Sequence, residues 1–414
     1  MTAARPPLLR GRDADRVRAA LRDISRALIA LPARSVRDPA LADGNAGLAL
    51  AHAALHPLFP RAGHLALAER TLDRAIDGLA RTVLPPSLHG GFSGVAWVVE
   101  HLRGDTDGDA NEAIDEALIR YLDRTPWRDS FDLINGLVGL GVYALERLPH
   151  PSARRILELV VARLAETARR RRPGLAWWSD PEWVPVPFRR DPHFEWNLGV
   201  GHGMPAVIGF LAGVVQAGIA PRVARRLLDG AVCWLLAQEL PRKDAGFASA
   251  VGPGVERAPA RSAWCYGDPG VAAVLLTAAR AVGERAWEQH ALRIGLRAAA
   301  RPPDQCRVVD AGLCHGAAGL GHLYHRMYLT TGEPRLARAA RAWLVRALDY
   351  RRTTDAIGGF ASWTIDPDGR KYWVADPGML TGTAGIALAF SAALDGRDPT
   401  WDRVLLLSLR APGA

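Results

Sequence analysis

The feature that most constrains this chain is a seven-fold internal repeat. A Gly-x-x-Gly element followed by an apolar segment recurs as Gly44-Asn45-Ala46-Gly47, Gly91-Phe92-Ser93-Gly94 and Gly136-Leu137-Val138-Gly139. It returns as Gly203-Met204-Pro205-Ala206, Gly267-Asp268-Pro269-Gly270, Gly316-Ala317-Ala318-Gly319 and Gly382-Thr383-Ala384-Gly385, with alanine in the last place of the fourth copy. Between copies lie amphipathic, arginine-rich patterns such as Pro221 to Leu240 and Pro334 to Tyr350. Self-similarity at such a period marks a repeat architecture. The apolar segments read as inner helices and the charged ones as outer helices. Glycines at the inner helix starts let backbones approach closely and leave helix N-terminal amides pointing inward. Seven pairs closing on themselves predict an all-α fold, an α/α toroid of seven inner and seven outer helices, as a single domain over residues 1–414. An open solenoid uses the same kind of repeat, and the residues alone separate the two forms only modestly.

The intervals before repeats four, five and seven are longer than the others, and their extra residues read as loops near 172–196, 242–261 and 353–378. The first holds several prolines and Trp177, Trp178, Trp183 and Trp196. Long loops on a helical scaffold carry function. Here they suit either gripping a flexible peptide or packing on one another as a rim.

The 414 residues are 49% hydrophobic and 23% charged, which excludes a disordered chain. The formal charge is +9, carried almost wholly by arginine, since lysine occurs only at Lys243 and Lys371. No basic run interleaved with aromatics points to nucleic acid. The arginines read as a solvated surface or as a field that draws in an acidic peptide. The N-terminus has no apolar signal core, and the longest apolar stretch, Ala206 to Val215, is too short to span a bilayer. A cytoplasmic protein is expected, peripheral at most to a membrane-bound complex. Four cysteines do not make a disulfide framework. Cys233, in an apolar run, reads as a core residue, and Cys306, in a polar stretch, as exposed.

The remaining two cysteines stand in Trp264-Cys265-Tyr266-Gly267 and Cys314-His315-Gly316, at the starts of repeats five and six. Two thiolates and one imidazole are three zinc ligands. Structural zinc sites close with four protein ligands, whereas catalytic sites keep a position open. An open position on a thiolate-rich zinc suits a substrate thiol, which loses its proton on coordination. His322 and His325, further along the same helix, read as core or surface residues rather than ligands.

With its seven repeats, Trp-Cys-Tyr-Gly and Cys-His-Gly, the chain resembles the lanthipeptide cyclases of the LanC-like family from Asp43 to Phe390. The resemblance implies an α/α toroid with one zinc ion held by Cys265, Cys314 and His315. It implies addition of a peptide cysteine thiol to dehydroalanine or dehydrobutyrine, forming thioether rings. It also implies an active-site histidine at His202, an aspartate at Asp132, an arginine at Arg261 and a tyrosine at Tyr266. No dehydratase region accompanies these motifs, so the expected partners are a dehydrated precursor peptide, a separate dehydratase and an exporter complex.

That chemistry needs a group to stabilise the enolate formed when sulfur attacks and an acid to protonate its α-carbon. Arg261 is the candidate for the first and His202 for the second, with Asp132 holding the imidazole's tautomer and Tyr266 orienting one of these groups. Each has a plainer reading. His202 can pack or cap, Asp132 can cap a helix, and Arg261 can be a rim residue. Other functions stay open: addition of glutathione to dehydrated residues on the same scaffold, or a zinc-containing peptide-binding scaffold without turnover. A toroidal glycosidase would want paired inward carboxylates, and Asp43, Asp132 and Asp268 show no pairing.

Overall fold

The computed structural model of the chain describes residues 5–104, 109–180, 196–241, 246–366 and 368–410. Fourteen α-helices run through them in strict alternation. One set is α1 (Gly11–Ala30), α3 (His64–Leu79), α5 (Glu112–Leu122), α7 (Pro151–Thr167), α9 (Pro221–Leu236), α11 (Arg285–Ala299) and α13 (Pro334–Arg346). The other is α2 (Asn45–Leu55), α4 (Phe92–Arg103), α6 (Leu137–Glu146), α8 (Met204–Gln216), α10 (Asp268–Val282), α12 (Ala317–Thr331) and α14 (Thr383–Asp395). Each even-numbered helix starts at the residue after the first glycine of a repeat, as the pattern predicts.

The two sets differ in burial as their sequences require. Helix α8 is buried without a break from Met204 to Val214, and α14 from Thr383 to Leu394. Helix α9 buries only Ala224, Leu227, Leu228, Ala231, Val232, Trp234 and Leu235, the three-to-four spacing of a one-sided helix. The ends follow local rules. Proline opens α7, α9 and α13, where its missing N–H costs nothing. Glycines 283, 332 and 396, at φ near +73°, close α10, α12 and α14 in the left-handed cap conformation.

The chain packs as two compact units. The first comprises Met1–Pro85, Gly90–Leu102 and Ala299–Trp401, and the second Pro86–His89, Arg103–Ala298 and Asp402–Ala414. In the first, α2 packs on α3 and α14, and α12 on α13 and α14. In the second, α8 packs on α6, α9 and α10, and α7 on α5, α6 and α9. The approach of α6 to α8 is close enough that a Cβ on Gly141 would enter the ring of Phe210.

Among the described residues, six short strands lie in or beside the long inter-repeat segments read as loops. They are β1 (Arg169–Arg171) with β2 (Gly174–Ala176), β3 (Trp196–Asn197) with β4 (Ala250–Val251), and β5 (Ser362–Ile365) with β6 (Lys371–Val374), all antiparallel. Trp183 lies outside the described residues. Trp177 and Trp196 are buried, and the Trp177 indole donates to the Leu164 carbonyl at 2.9 Å. Those two rings therefore pack against the scaffold. Two cysteine expectations are corrected. Cys233 is exposed, because the turn of α9 that buries Val232 and Trp234 swings it outward, where its thiol reaches the Pro173 carbonyl. Cys306 is buried at the end of a short 3-10 turn, with its thiol near the Pro302 carbonyl. Among the described residues no helix is long and apolar enough to cross a membrane.

Candidate active site

The turn that precedes each buried helix is longer than Gly-x-x-Gly. Six residues before the first glycine stands a residue whose carbonyl accepts the N–H that opens the helix. Asp38 does so for Asn45, Ser130 for Leu137, Asp310 for Ala317 and Asp376 for Thr383. Their side chains also accept an amide two residues on, at Ala40, Asp132, Gly312 and Gly378. Asn197 makes the same side-chain bond to Gly199. Such short polar side chains mimic a backbone turn. This frame fixes the last two residues before the glycine, and in it stand Cys265 and Tyr266, Cys314 and His315, and His202 and His89. The sequence reading missed the frame, although the recurrence of Asp, Ser or Asn at one register is visible in the chain.

In the second unit, four of the seven expected site residues lie together: Asp132, His202, Cys265 and Tyr266. His202 Nδ1 lies 2.6 Å from Asp132 Oδ2. Asp132 is buried, and its other oxygen accepts the Asn135 amide at 2.6 Å. The carboxylate thus closes its own turn and holds the histidine, and it does not cap α6, whose N-cap position is Gly136 with no side-chain cap bond. Burial works against a charged His202, but the hydrogen bond and charge of Asp132, with the Cys265 thiolate beyond, outweigh it and raise its pKa. The repeat-four loop lies directly on the Cys265–Tyr266 turn. Gly201 N–H donates to the Cys265 carbonyl at 3.4 Å, and Asn197 Nδ2 donates to the Tyr266 hydroxyl at 2.9 Å. Gly199 has no room for a Cβ beside the Cys265 carbonyl and the Tyr266 ring.

Arg261 occupies the turn-closing register of repeat five and is exposed. Among the described residues its guanidinium makes no ion pair, and its carbonyl blocks any Cβ at Gly267, which holds φ +96°. His89, a buried ring that the sequence reading did not single out, tilts against Trp264 at 6.0 Å. Burial, then the neighbouring His202, push its pKa down to about 3, so it stays neutral.

In the first unit, Cys314 and His315 sit on the turn into α12, both half-buried. The Cys314 amide donates to the Leu380 carbonyl at 2.7 Å, which ties this turn to the one before α14. The His315 Nε2 lies 3.9 Å from Asp310 Oδ2. That carboxylate is buried and faces the imidazole, as carboxylates commonly face the rings of histidines that bind metals. His322 and His325 are buried on α12, with His322 stacked on Trp401, as core residues are expected to be.

A second group able to hold a metal by composition, Asp109, Asp115 and His150, is already occupied by protein donors. Arg147 pairs with both carboxylates, and the Ser152 hydroxyl donates to Asp115. Asp268, one of the carboxylates a glycosidase would need, is buried and accepts the Phe247 amide at 2.8 Å. With Asp132 held by His202, neither is poised as half of a catalytic carboxylate pair.

The sequence pattern of the lanthionine synthetase C-like family matches residues 35–406. The chain belongs to that family. Membership bears out the reading of a lanthionine synthetase-type cyclase. No curated protein matches the sequence. Among the solved structures that match is one titled nisin cyclase, at 18% sequence identity and a TM-score of 0.75, covering 93% of this chain and 97% of that one. The likeness shows the fold, an α/α toroid.

Proposed function

We propose that this protein is a zinc-dependent lanthipeptide cyclase that adds peptide cysteine thiols to dehydroalanine or dehydrobutyrine. The observation that carries the reading is the His202–Asp132 pair, with its raised histidine pKa, set beside the Cys265 turn. Family membership supports it independently. Cys265, Cys314 and His315 are the assigned ligands. Each offers one half-buried donor. Two thiols and an imidazole fit zinc by their softness. Zinc held there supplies a substrate thiolate at neutral pH.

The protein's residues do the rest. Asp132 fixes the His202 proton on Nδ1 in the neutral ring, which turns Nε2 toward the reacting groups. His202 takes the thiol proton there and returns it to the α-carbon after the new carbon–sulfur bond has formed at the β-carbon. The S–H bond is thereby added across the carbon–carbon double bond, with no oxidant and no leaving group. The enolate oxygen formed on the way needs a cation or a hydrogen-bond donor, and Arg261 is assigned that role. Tyr266, fixed by Asn197, orients the incoming chain.

The test pairs metal analysis with ring formation. Purified protein is assayed for zinc and incubated with a dehydrated, cysteine-bearing peptide, and loss of alkylatable thiol is followed at constant peptide mass. About one zinc per chain with zinc-dependent thiol loss is expected. Thiol loss that survives complete zinc removal refutes the metal's role. Zinc-loaded protein that leaves the peptide thiol untouched but joins glutathione to the dehydro residue assigns the other activity of this scaffold.

A further inference from the structure

The β5–β6 hairpin is fastened at its base to the turn that carries Cys314 and His315. The Trp363 amide donates to Asp310 Oδ2 at 3.2 Å, and the other Asp310 oxygen closes the Cys314–His315 turn through the Gly312 amide. The neighbouring Ser362 hydroxyl donates to the Thr381 carbonyl at 2.7 Å, on the turn into α14. Beyond this base the hairpin carries a cross-strand pair of half-buried indoles, Trp363 and Trp373, with ring centroids 5.0 Å apart. Arg352 lies over the Trp373 ring at 4.3 Å.

The arginines around this hairpin are not equivalent. Arg351 pairs with Asp23, and Arg370 with Asp366 and Asp368. Among the described residues Arg352 makes no ion pair, and its Nε is buried without an acceptor. A guanidinium stacked on an indole is pre-organised, because stacking fixes its plane and leaves its edge to form a bidentate pair with a carboxylate.

We infer that Arg352, Trp363 and Trp373 form a substrate subsite that receives an acidic side chain of the precursor peptide next to the Cys314–His315 turn. This rests on the proposed peptide-modifying function. The indoles carry the flanking backbone and apolar groups, and Arg352 takes the carboxylate. The hydrogen bond from Trp363 to Asp310 keeps the subsite in register with the metal-binding turn.

The experiment is calorimetric titration of the zinc-loaded protein with two synthetic probes. Each contains one cysteine and one alanine in place of dehydroalanine, so neither can react. One is flanked by glutamates and the other by lysines. The wild type is expected to bind the glutamate probe more tightly. Arg352→Gln should weaken that probe about five- to tenfold, as the loss of a charge-assisted pair would, and leave the lysine probe unchanged. Arg352→Glu should reverse the preference. Trp373→Leu should weaken both probes. Zinc content and thermal unfolding, measured on each variant, separate a lost subsite from a damaged fold. Equal affinity of wild type and Arg352→Gln for the glutamate probe overturns the inference. The probes do not react, so charge-dependent binding without ring formation from a dehydrated peptide would leave the subsite standing and refute the cyclase reading instead.

Discussion

One proton separates an imidazole that accepts from one that donates, and Asp132 biases His202 toward holding it. Burial alone would strip the charge from this ring, as it does at His89, where the pKa falls to about 3. The two histidines share a neighbourhood and part company because only His202 has a carboxylate at hydrogen-bond distance. Replacing His202 by alanine should therefore leave zinc binding intact and lower turnover by about two to four orders of magnitude, the usual worth of a placed general acid–base group. Cys314→Ala should lose zinc and turnover together. Metal analysis distinguishes the two variants, and full zinc in the cysteine variant would remove it from the ligand set. Both residues were readable in the chain, because each stands within two residues of a repeat glycine. Asp310 and Asn197 were not, because their part is a side-chain bond to a local amide and no chemical motif marks it.

At the scale of the helix, the buried set trades side chains for proximity. Gly141 sits inside α6, where alanine would raise helix propensity by about 1 kcal/mol. Its Cβ would enter the Phe210 ring on α8, and overpacking of this kind costs about 1–3 kcal/mol. The packing term is the larger, so Gly141→Ala should lower the urea midpoint, and a raised midpoint would mean that α6 and α8 can part freely. A second element pair sets an acid limit. His52 on α2 and His64 on α3 are buried with their Nδ1 atoms 2.9 Å apart, and His64 Nε2 lies 2.8 Å from the Ser25 hydroxyl. Burial, then the neighbouring ring, push His52 to about 3, and burial, then His56, push His64 to about 4. Both are neutral when folded, whereas in the unfolded chain they take up protons near pH 6.5. Their contribution is full above that pH and is lost as pH falls toward 4. Urea midpoints measured from pH 7.5 to 4.5 should fall less steeply for a His52→Leu/His64→Leu variant than for the wild type, and parallel curves would refute the assignment. The alternation of helices was legible because burial on one side or on all sides leaves different periods in the sequence. The strands were not, since pairs of two to four residues such as Trp196–Asn197 with Ala250–Val251 are too short to show a period of two. Cys233 and Cys306 were misplaced because local polarity stood in for the direction each side chain takes from its turn.

Over the whole molecule the charge is +9, and arginine supplies nearly all of it. Many of these arginines are held in pairs one helical turn apart, such as Arg225 with Asp229 and Arg154 with Glu158. Such exposed pairs add little stability, on the order of 0.5 kcal/mol or less, and locally they cancel. What remains is a net field at long range and, among the described residues, cations without an ion pair such as Arg352. A field of that kind acts on encounter more than on chemistry, and its reach at about 0.15 M salt is roughly 8 Å. With an acidic dehydrated peptide, KM should therefore rise as sodium chloride is raised from 0.05 to about 0.5 M, while kcat stays level. The dependence should weaken in Arg352→Gln. A KM indifferent to salt would mean that the positive charge serves only the surface, and a falling kcat would place the screened charge in the reaction itself. Since Arg261 is exposed and makes no ion pair among the described residues, Arg261→Gln separates those cases: a charge used on the enolate lowers kcat at every salt concentration, whereas one used in capture changes KM and loses its effect at high salt.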